Sequence, residues 1–123
     1  MKAKSLVFLI LSVFLLNSCS NDENEIFVYE GMWSGQYAGN TDSGNWSIRI
    51  DINKSVIGTF TSIQSSNSYQ IIGNISENGV LNATIETSEI DGEFNGSFKD
   101  NYASGLWTSN TEDDSGSWTG AKL

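Results

Sequence analysis

From about residue 31 onward, apolar and polar side chains alternate with a period of two. Trp46, Ile48, Ile50 and Ile52 alternate with Asn45, Ser47, Arg49 and Asp51. Ile90, Gly92, Phe94, Gly96 and Phe98 alternate with Asp91, Glu93, Asn95, Ser97 and Lys99. This is the period of half-buried β-strands. Eight strands are predicted, near residues 32–38, 45–52, 56–63, 68–75, 80–87, 90–99, 102–109 and 115–122. Turn-forming clusters separate them, among them Asn40-Thr41-Asp42-Ser43-Gly44, Asn53-Lys54-Ser55, Ser65-Ser66-Asn67, Glu77-Asn78-Gly79 and the run from Asn110 to Asp114. Short strands joined by short turns make an antiparallel, up-and-down meander of hairpins. No helical period of useful length occurs in this part of the chain.

A second regularity lies within the strands. Glycine stands two residues from an aromatic or branched side chain, on the same face, as in Trp33-x-Gly35-x-Tyr37, Gly58-x-Phe60, Gly105-x-Trp107 and Gly116-x-Trp118-x-Gly120. Glycine weakens a strand, so its repeated use requires a reason. A small closed barrel supplies one, because its interior needs tight bends and large side chains beside small ones. The expected fold is therefore all-β, a closed eight-stranded barrel. Trp33, Tyr37, Trp46, Phe60, Phe94, Trp107 and Trp118 are its interior candidates, either as core or as a ligand lining. An outward-facing apolar band, as in a transmembrane barrel, fits poorly. Strands of about 7 to 9 residues are shorter than the ~9–11 needed to cross. The aromatics also stand in mid-strand rather than in girdles near strand ends. A soluble barrel is expected, with an apolar inside and Ser, Thr, Asn and Asp outside.

The N-terminal residues follow different rules. Lys2 and Lys4 precede Leu6 to Leu16, an apolar run broken only by Ser12. Eleven such residues are too few to span a bilayer as a helix but suit the core of a signal peptide. The sequence Leu16-Asn17-Ser18-Cys19 then resembles the lipobox of bacterial lipoproteins. That resemblance implies cleavage between Ser18 and Cys19 and lipid attachment through the Cys19 thiol. The alternative for Cys19 is a small apolar residue behind an ordinary signal peptide. The polar run Ser20-Asn21-Asp22-Glu23-Asn24-Glu25 suits a tether. It is also similar to acidic export signals that follow the lipidated Cys in some surface lipoproteins. The expected organisation is a signal peptide over 1–18, a lipidated acidic tether over 19–30 and a barrel over 31–123, held in the bacterial cell envelope at the outer membrane.

Composition narrows the chemistry. The chain has 123 residues, no His, no Pro and one Cys. Without His there is neither a Ser-His-Asp triad nor an imidazole metal ligand, and one Cys forms no internal disulfide. After removal of the signal, Arg49, Lys54, Lys99 and Lys122 face all 15 acidic residues, a net charge of −11. That balance argues against nucleic acid as a partner, since phosphate contacts need clustered cations. The charge is expected on the tether and on outward strand positions.

Calcium is the first cofactor an acidic chain suggests. Asp51-Ile52-Asn53-Lys54-Ser55 opens like a calcium-binding loop, but Val56 stands where Gly should follow and no Glu closes it. Glu112-Asp113-Asp114 could hold Ca²⁺ weakly in a loop, but acidic loops are more often just solvated. Asp91 and Glu93 share a strand face that should point to water, where carboxylates make poor general acids. The expectation is no metal, no cofactor and no catalysis.

The rhythm of Gly31-Met32-Trp33-Ser34-Gly35-Gln36-Tyr37, Ile57-Gly58-Thr59-Phe60 and the late Gly-x-Trp units is similar to small eight-stranded meander barrels, the avidin family among them. Phe60 stands where that family often has a biotin-binding Tyr, and Gly35 where an Asn donor is expected, so the resemblance implies a fold and not biotin binding. Small lipoproteins that inhibit lysozyme are also barrels of this size, although the cysteine pair of the C-type lysozyme inhibitors is absent here. Barrel modules of transferrin-binding-type lipoproteins share the Gly-x-Phe-x-Gly texture. The expected function is a membrane-anchored, non-enzymatic module for a protein or glycan partner. The alternatives are a calycin-like carrier of a small apolar ligand and an inhibitor of a basic enzyme such as lysozyme.

Overall fold

The computed structural model describes residues 26–123. The signal segment, Ser18, Cys19 and most of the expected tether lie outside the described residues. The rest forms eight strands in sequence order: β1 (Gly31–Gly39), β2 (Ser43–Ile50), β3 (Ser55–Ser62), β4 (Ser68–Ile75), β5 (Val80–Glu86), β6 (Ile90–Lys99), β7 (Tyr102–Ser109) and β8 (Asp114–Lys122). Each pairs antiparallel with the next, and β8 returns to pair with β1, closing the barrel. Closure leaves no unpaired edge.

The predicted strands agree with the observed ones to within about two residues. The largest departure is at β2, expected to reach Ile52 but ending at Ile50. The turn closes early because Asp51 N donates to Ser55 O at 3.0 Å and Lys54 N to Asp51 O at 2.8 Å. Ile52 therefore lies in the turn, exposed.

Inward positions build one continuous core from all eight strands. Large aromatics fit inside a narrow barrel because the indoles lie flat across glycines of neighbouring strands. Trp46 on β2 lies over Gly35 of β1 and Gly120 of β8, which are themselves paired. A Cβ on Gly120 would run into the Trp46 ring. Trp46 Nε1–H donates to the carbonyls of Gln36 (3.3 Å) and Thr119 (3.2 Å), on those same two strands. Trp118 on β8 repeats the arrangement over the Gly105–Gly96 pair of β7 and β6. Its Nε1–H donates to Leu106 O and Asn95 O, both at 3.2 Å. Glycine thus bares the backbone carbonyls that satisfy buried indole N–H groups, which a buried polar group requires.

The strands alternate in direction, so the two ends of the barrel are built from different turns. One end receives the chain from the N-terminal side. There Phe27 is buried and packs edge-on against Tyr29 (5.6 Å), which meets Phe98 (5.9 Å) and Trp33 (6.3 Å). Trp33 Nε1–H donates to Tyr29 O at 2.9 Å, and Lys122 Nζ to Val28 O at 3.2 Å. The last residues of the segment expected as tether therefore plug this end. The opposite end is formed by the turns at 40–42, 63–67, 87–89 and 110–113.

The β5–β6 pairing carries an irregularity. Ile85 pairs with Gly92 but Glu86 with Ile90, so Asp91 is an extra, bulged residue. The bulge corrects the expected strand face. Ile90, expected inside, is 64% exposed, whereas Asp91, expected in water, is 6% exposed and turned inward. A bulge re-aims one side chain in this way. Glu93 keeps the outward position and accepts from Asn95 Nδ2 at 2.8 Å.

Candidate functional site: the acidic end of the barrel

Inward positions differ between the two ends. Toward the plugged end they are Trp33, Ile50, Val56, Ile75, Leu81 and Phe98. Toward the other end they carry hydroxyls: Tyr37, Ser62, Tyr69 and Ser109, all buried. These hydroxyls meet carboxylates from the turns and from the strand ends beside them. Tyr37 Oη donates to Asp42 Oδ2 at 3.1 Å, and Ser62 Oγ to Asp42 Oδ1 at 2.7 Å. Tyr69 Oη donates to Glu112 Oε2 at 2.6 Å. Asp91 accepts from Ser109 Oγ (2.6 Å), Thr111 N (2.8 Å) and Thr111 Oγ1 (2.5 Å). Asp114 accepts from the backbone N–H groups of Asn40, Thr41, Asp42 and Ser115 at 2.8–3.0 Å. The first turn thus wraps its successive N–H groups around this carboxylate, an anion-holding arrangement that also turns Asp42 inward.

Below this polar layer stand stacked rings. Tyr37 lies on Phe60 at 3.8 Å, and Trp107 meets both, its Nε1–H donating to Ala38 O. Phe94 stacks on Trp118 at 4.4 Å, and Trp46 meets both edge-on. The seven interior candidates are therefore all buried and packed on one another. Surface hollows lie on the outer wall, as among Ser34, Asn45, Ser47 and Thr59.

Charge divides sharply between the ends. Among the described residues, Asp42, Glu86, Glu89, Asp91, Glu112, Asp113 and Asp114 gather at the hydroxyl-lined end, and no Lys or Arg joins them. Arg49, Lys54, Lys99 and Lys122 all sit at the plugged end, with Glu30, Asp51, Glu77 and Asp100, and their charges cancel. Arg49 pairs with Asp51 at 3.3 Å and Lys54 with Glu77 at 3.0 Å. The negative charge is thus not spread over outward strand positions, as expected from the alternation. Those positions carry Arg49, Glu86, Glu93 and Lys99, whose charges also cancel.

Asp91 and Asp114 stay ionised without a cation because N–H and O–H donors solvate them. The N–H of Thr41, with those of Asn40, Ser115 and Asp42, holds Asp114 well below the usual carboxylate range. Burial alone would raise Asp91, but its bonds from Ser109 and Thr111 outweigh burial and lower it. The phenols move the other way. Burial, then the bond to Glu112, pushes Tyr69 up to about 12. Burial and the Asp42 charge raise Tyr37 still further.

A pH window of stability follows. The two lowered carboxylates contribute stability that is complete above about pH 4, the unfolded value, and is lost as pH falls toward their folded values. The two raised phenols contribute stability that is complete below about pH 10 and is lost as pH rises through their folded values. Urea midpoints measured against pH should fall on both sides of this window. A midpoint that stays flat on the acidic side would contradict the role given to Asp91 and Asp114.

The sequence alone gives Asp91, Glu112 and Asp114 to solvent and Asp42 only to a turn. Two signals could have found them. In a meander the first, third, fifth and seventh turns share one end, and the acids lie in or beside the first, fifth and seventh of these turns. The inward strand positions next to the same turns hold hydroxyls. Among the described residues, no three acidic side chains converge closely enough to hold a metal ion. No protein-family model, curated protein or solved structure matches this chain.

Proposed function

We propose that the chain is a membrane-anchored lipoprotein of the bacterial outer membrane, held by lipid on Cys19, whose barrel is a non-enzymatic binding module for a protein or glycan partner. The observation that carries this reading is the separation of charge. Among the described residues, seven carboxylates and no cation occupy the end opposite the one where the N-terminal segment joins the barrel. The hydrogen bonds to Asp42, Asp91, Glu112 and Asp114 stabilise those charges but do not neutralise them, so the field at this end favours a cationic surface. A basic protein is the partner that suits it, and an inhibitor of a basic enzyme such as lysozyme is one form of that role. A carrier of a small apolar ligand is less well supported, because the interior rings would have to part before a ligand could enter.

The test uses a C-type lysozyme as the basic probe and an acidic protein of similar size as the control. The barrel should bind the basic probe alone, and added salt should slow association. Glu89→Lys with Asp113→Asn changes two exposed acids that no hydroxyl of the inner layer contacts. That variant should associate roughly tenfold more slowly at low salt. Equal binding of both probes, or association insensitive to salt and to this variant, would contradict the reading.

A further inference from the structure

The plugged end has a second property besides its balanced charge. Among the described residues, twelve large apolar side chains are exposed, and nine of them lie in the half of the barrel nearer this end. Four outward positions form a row of direct cross-strand neighbours: Met32 on β1 faces Arg49 on β2, Arg49 faces Ile57 on β3, and Ile57 faces Ile72 on β4. Met32, Ile57 and Ile72 are 46%, 55% and 39% exposed. Val28 and Tyr102 continue the apolar surface around the rim, at 65% and 72%.

We infer that this end is a membrane-docking face that rests in the headgroup region of the bilayer and points the acidic end away from it. The inference rests on the anchor at Cys19 proposed above. Three features select a lipid surface as the occupant. The first is chain length. Six residues lie between Cys19 and Ile26, so even a fully extended link of seven steps reaches only about 25 Å. A lipid on Cys19 thus keeps this end beside the membrane at high effective concentration, where a weakly apolar face suffices. The second is composition. Apolar side chains interleaved with Lys, Arg and an exposed Tyr suit an interface, because long cationic side chains lay their stems on apolar surface while their heads remain in water. The third is electrostatic. Among the described residues, the docking end has no net charge, whereas the acidic end is repelled by anionic lipid. Strands of this length hold the acidic end farther from the surface than the Debye length, about 8 Å at physiological salt.

The experiment reads anchor and docking separately. The full chain is matured in a bacterial host and reconstituted into phosphatidylcholine–phosphatidylglycerol vesicles. Thiol titration of the unsubstituted chain tests the anchor, since a thioether-linked Cys19 gives no free thiol and an unmodified one gives a thiol. Docking is read with an environment-sensitive dye on Ile57→Cys near the plugged end and on Ile90→Cys at the acidic end, both exposed positions. Lipid carrying a quencher in its upper acyl chain should quench the Ile57→Cys dye several-fold more than the Ile90→Cys dye. Equal quenching, or none at either site, would overturn the docking face and leave the end to a protein partner or to water. If Cys19 proves unmodified, the same dyes are read on the Cys19→Ser chain with added vesicles. Lipid-dependent quenching at Ile57→Cys would then still support docking, and its absence would overturn it.

Discussion

Gly105→Ala is expected to destabilise the barrel by about 3 kcal/mol or more, the upper end of the range for overpacking. The new methyl group would collide with the Asn95 carbonyl on β6, and it would stand 2.5 Å from Cζ2 of Trp118. Neither obstacle yields easily. The carbonyl belongs to a paired strand, and the indole is fixed from its far side by Phe94. A loss of this size is large against the roughly 5–15 kcal/mol that holds a typical domain together. Urea denaturation measures it, with Ser104→Ala, on the exposed face next door, as a control expected to change stability by no more than about 0.5 kcal/mol. A Gly105→Ala barrel as stable as that control would show that the strand can move aside and that glycine is dispensable there.

Trp118→Ala is expected to cost about 3–5 kcal/mol, the range for truncating a buried aromatic. The indole is 1% exposed, stacks on Phe94 at an interplanar angle of 9° and meets Trp46 edge-on at 5.1 Å. Its removal leaves a hole at the centre of the barrel that surrounding strands, tied in a closed ladder, cannot collapse to fill. The near-ultraviolet circular dichroism of the Trp46–Trp118 pair should disappear with it. Trp118→Phe should retain part of the stability, since it keeps a ring but loses the two N–H···O contacts. The double substitution Gly105→Ala with Trp118→Ala should cost less than the two single losses combined, because the methyl group then enters vacated space. Strict additivity would break the proposed link between glycine and indole.

These two substitutions concern the part of the molecule that was plain in the sequence. A period of two over eight segments predicts a meander, and glycine two residues from an aromatic predicts large rings laid over bare backbone. Both depend on neighbours within a strand or on the adjacent strand, so local pattern suffices. The acidic end was harder to read for two physical reasons. Its carboxylates come from turns and strand ends far apart in sequence, as with Asp42 and Asp114, and only closure of β8 on β1 brings them together. Asp91 also depends on a bulge, and a bulge breaks the alternation from which its exposure was judged. The hydroxyls of Tyr37, Ser62, Tyr69 and Ser109 were visible as inward residues, but they take on meaning only once the turns they adjoin are seen to share an end.

The same division separates structure from function. The filled interior accounts for stability, while the unequal ends give the barrel a direction. At one end, balanced charge and exposed apolar side chains surround the point where the N-terminal segment arrives. At the other, carboxylates held by hydroxyl and amide donors present an uncompensated negative surface. We propose that binding happens at this acidic end.

Hydrogen–deuterium exchange on the barrel alone and in complex with the basic probe tests that claim most directly. Added protection is expected at the turns 40–42, 87–89 and 110–113, with the plugged end and the outer wall unchanged. Protection centred on the plugged end, or along the outward faces of β1 to β3, would contradict it.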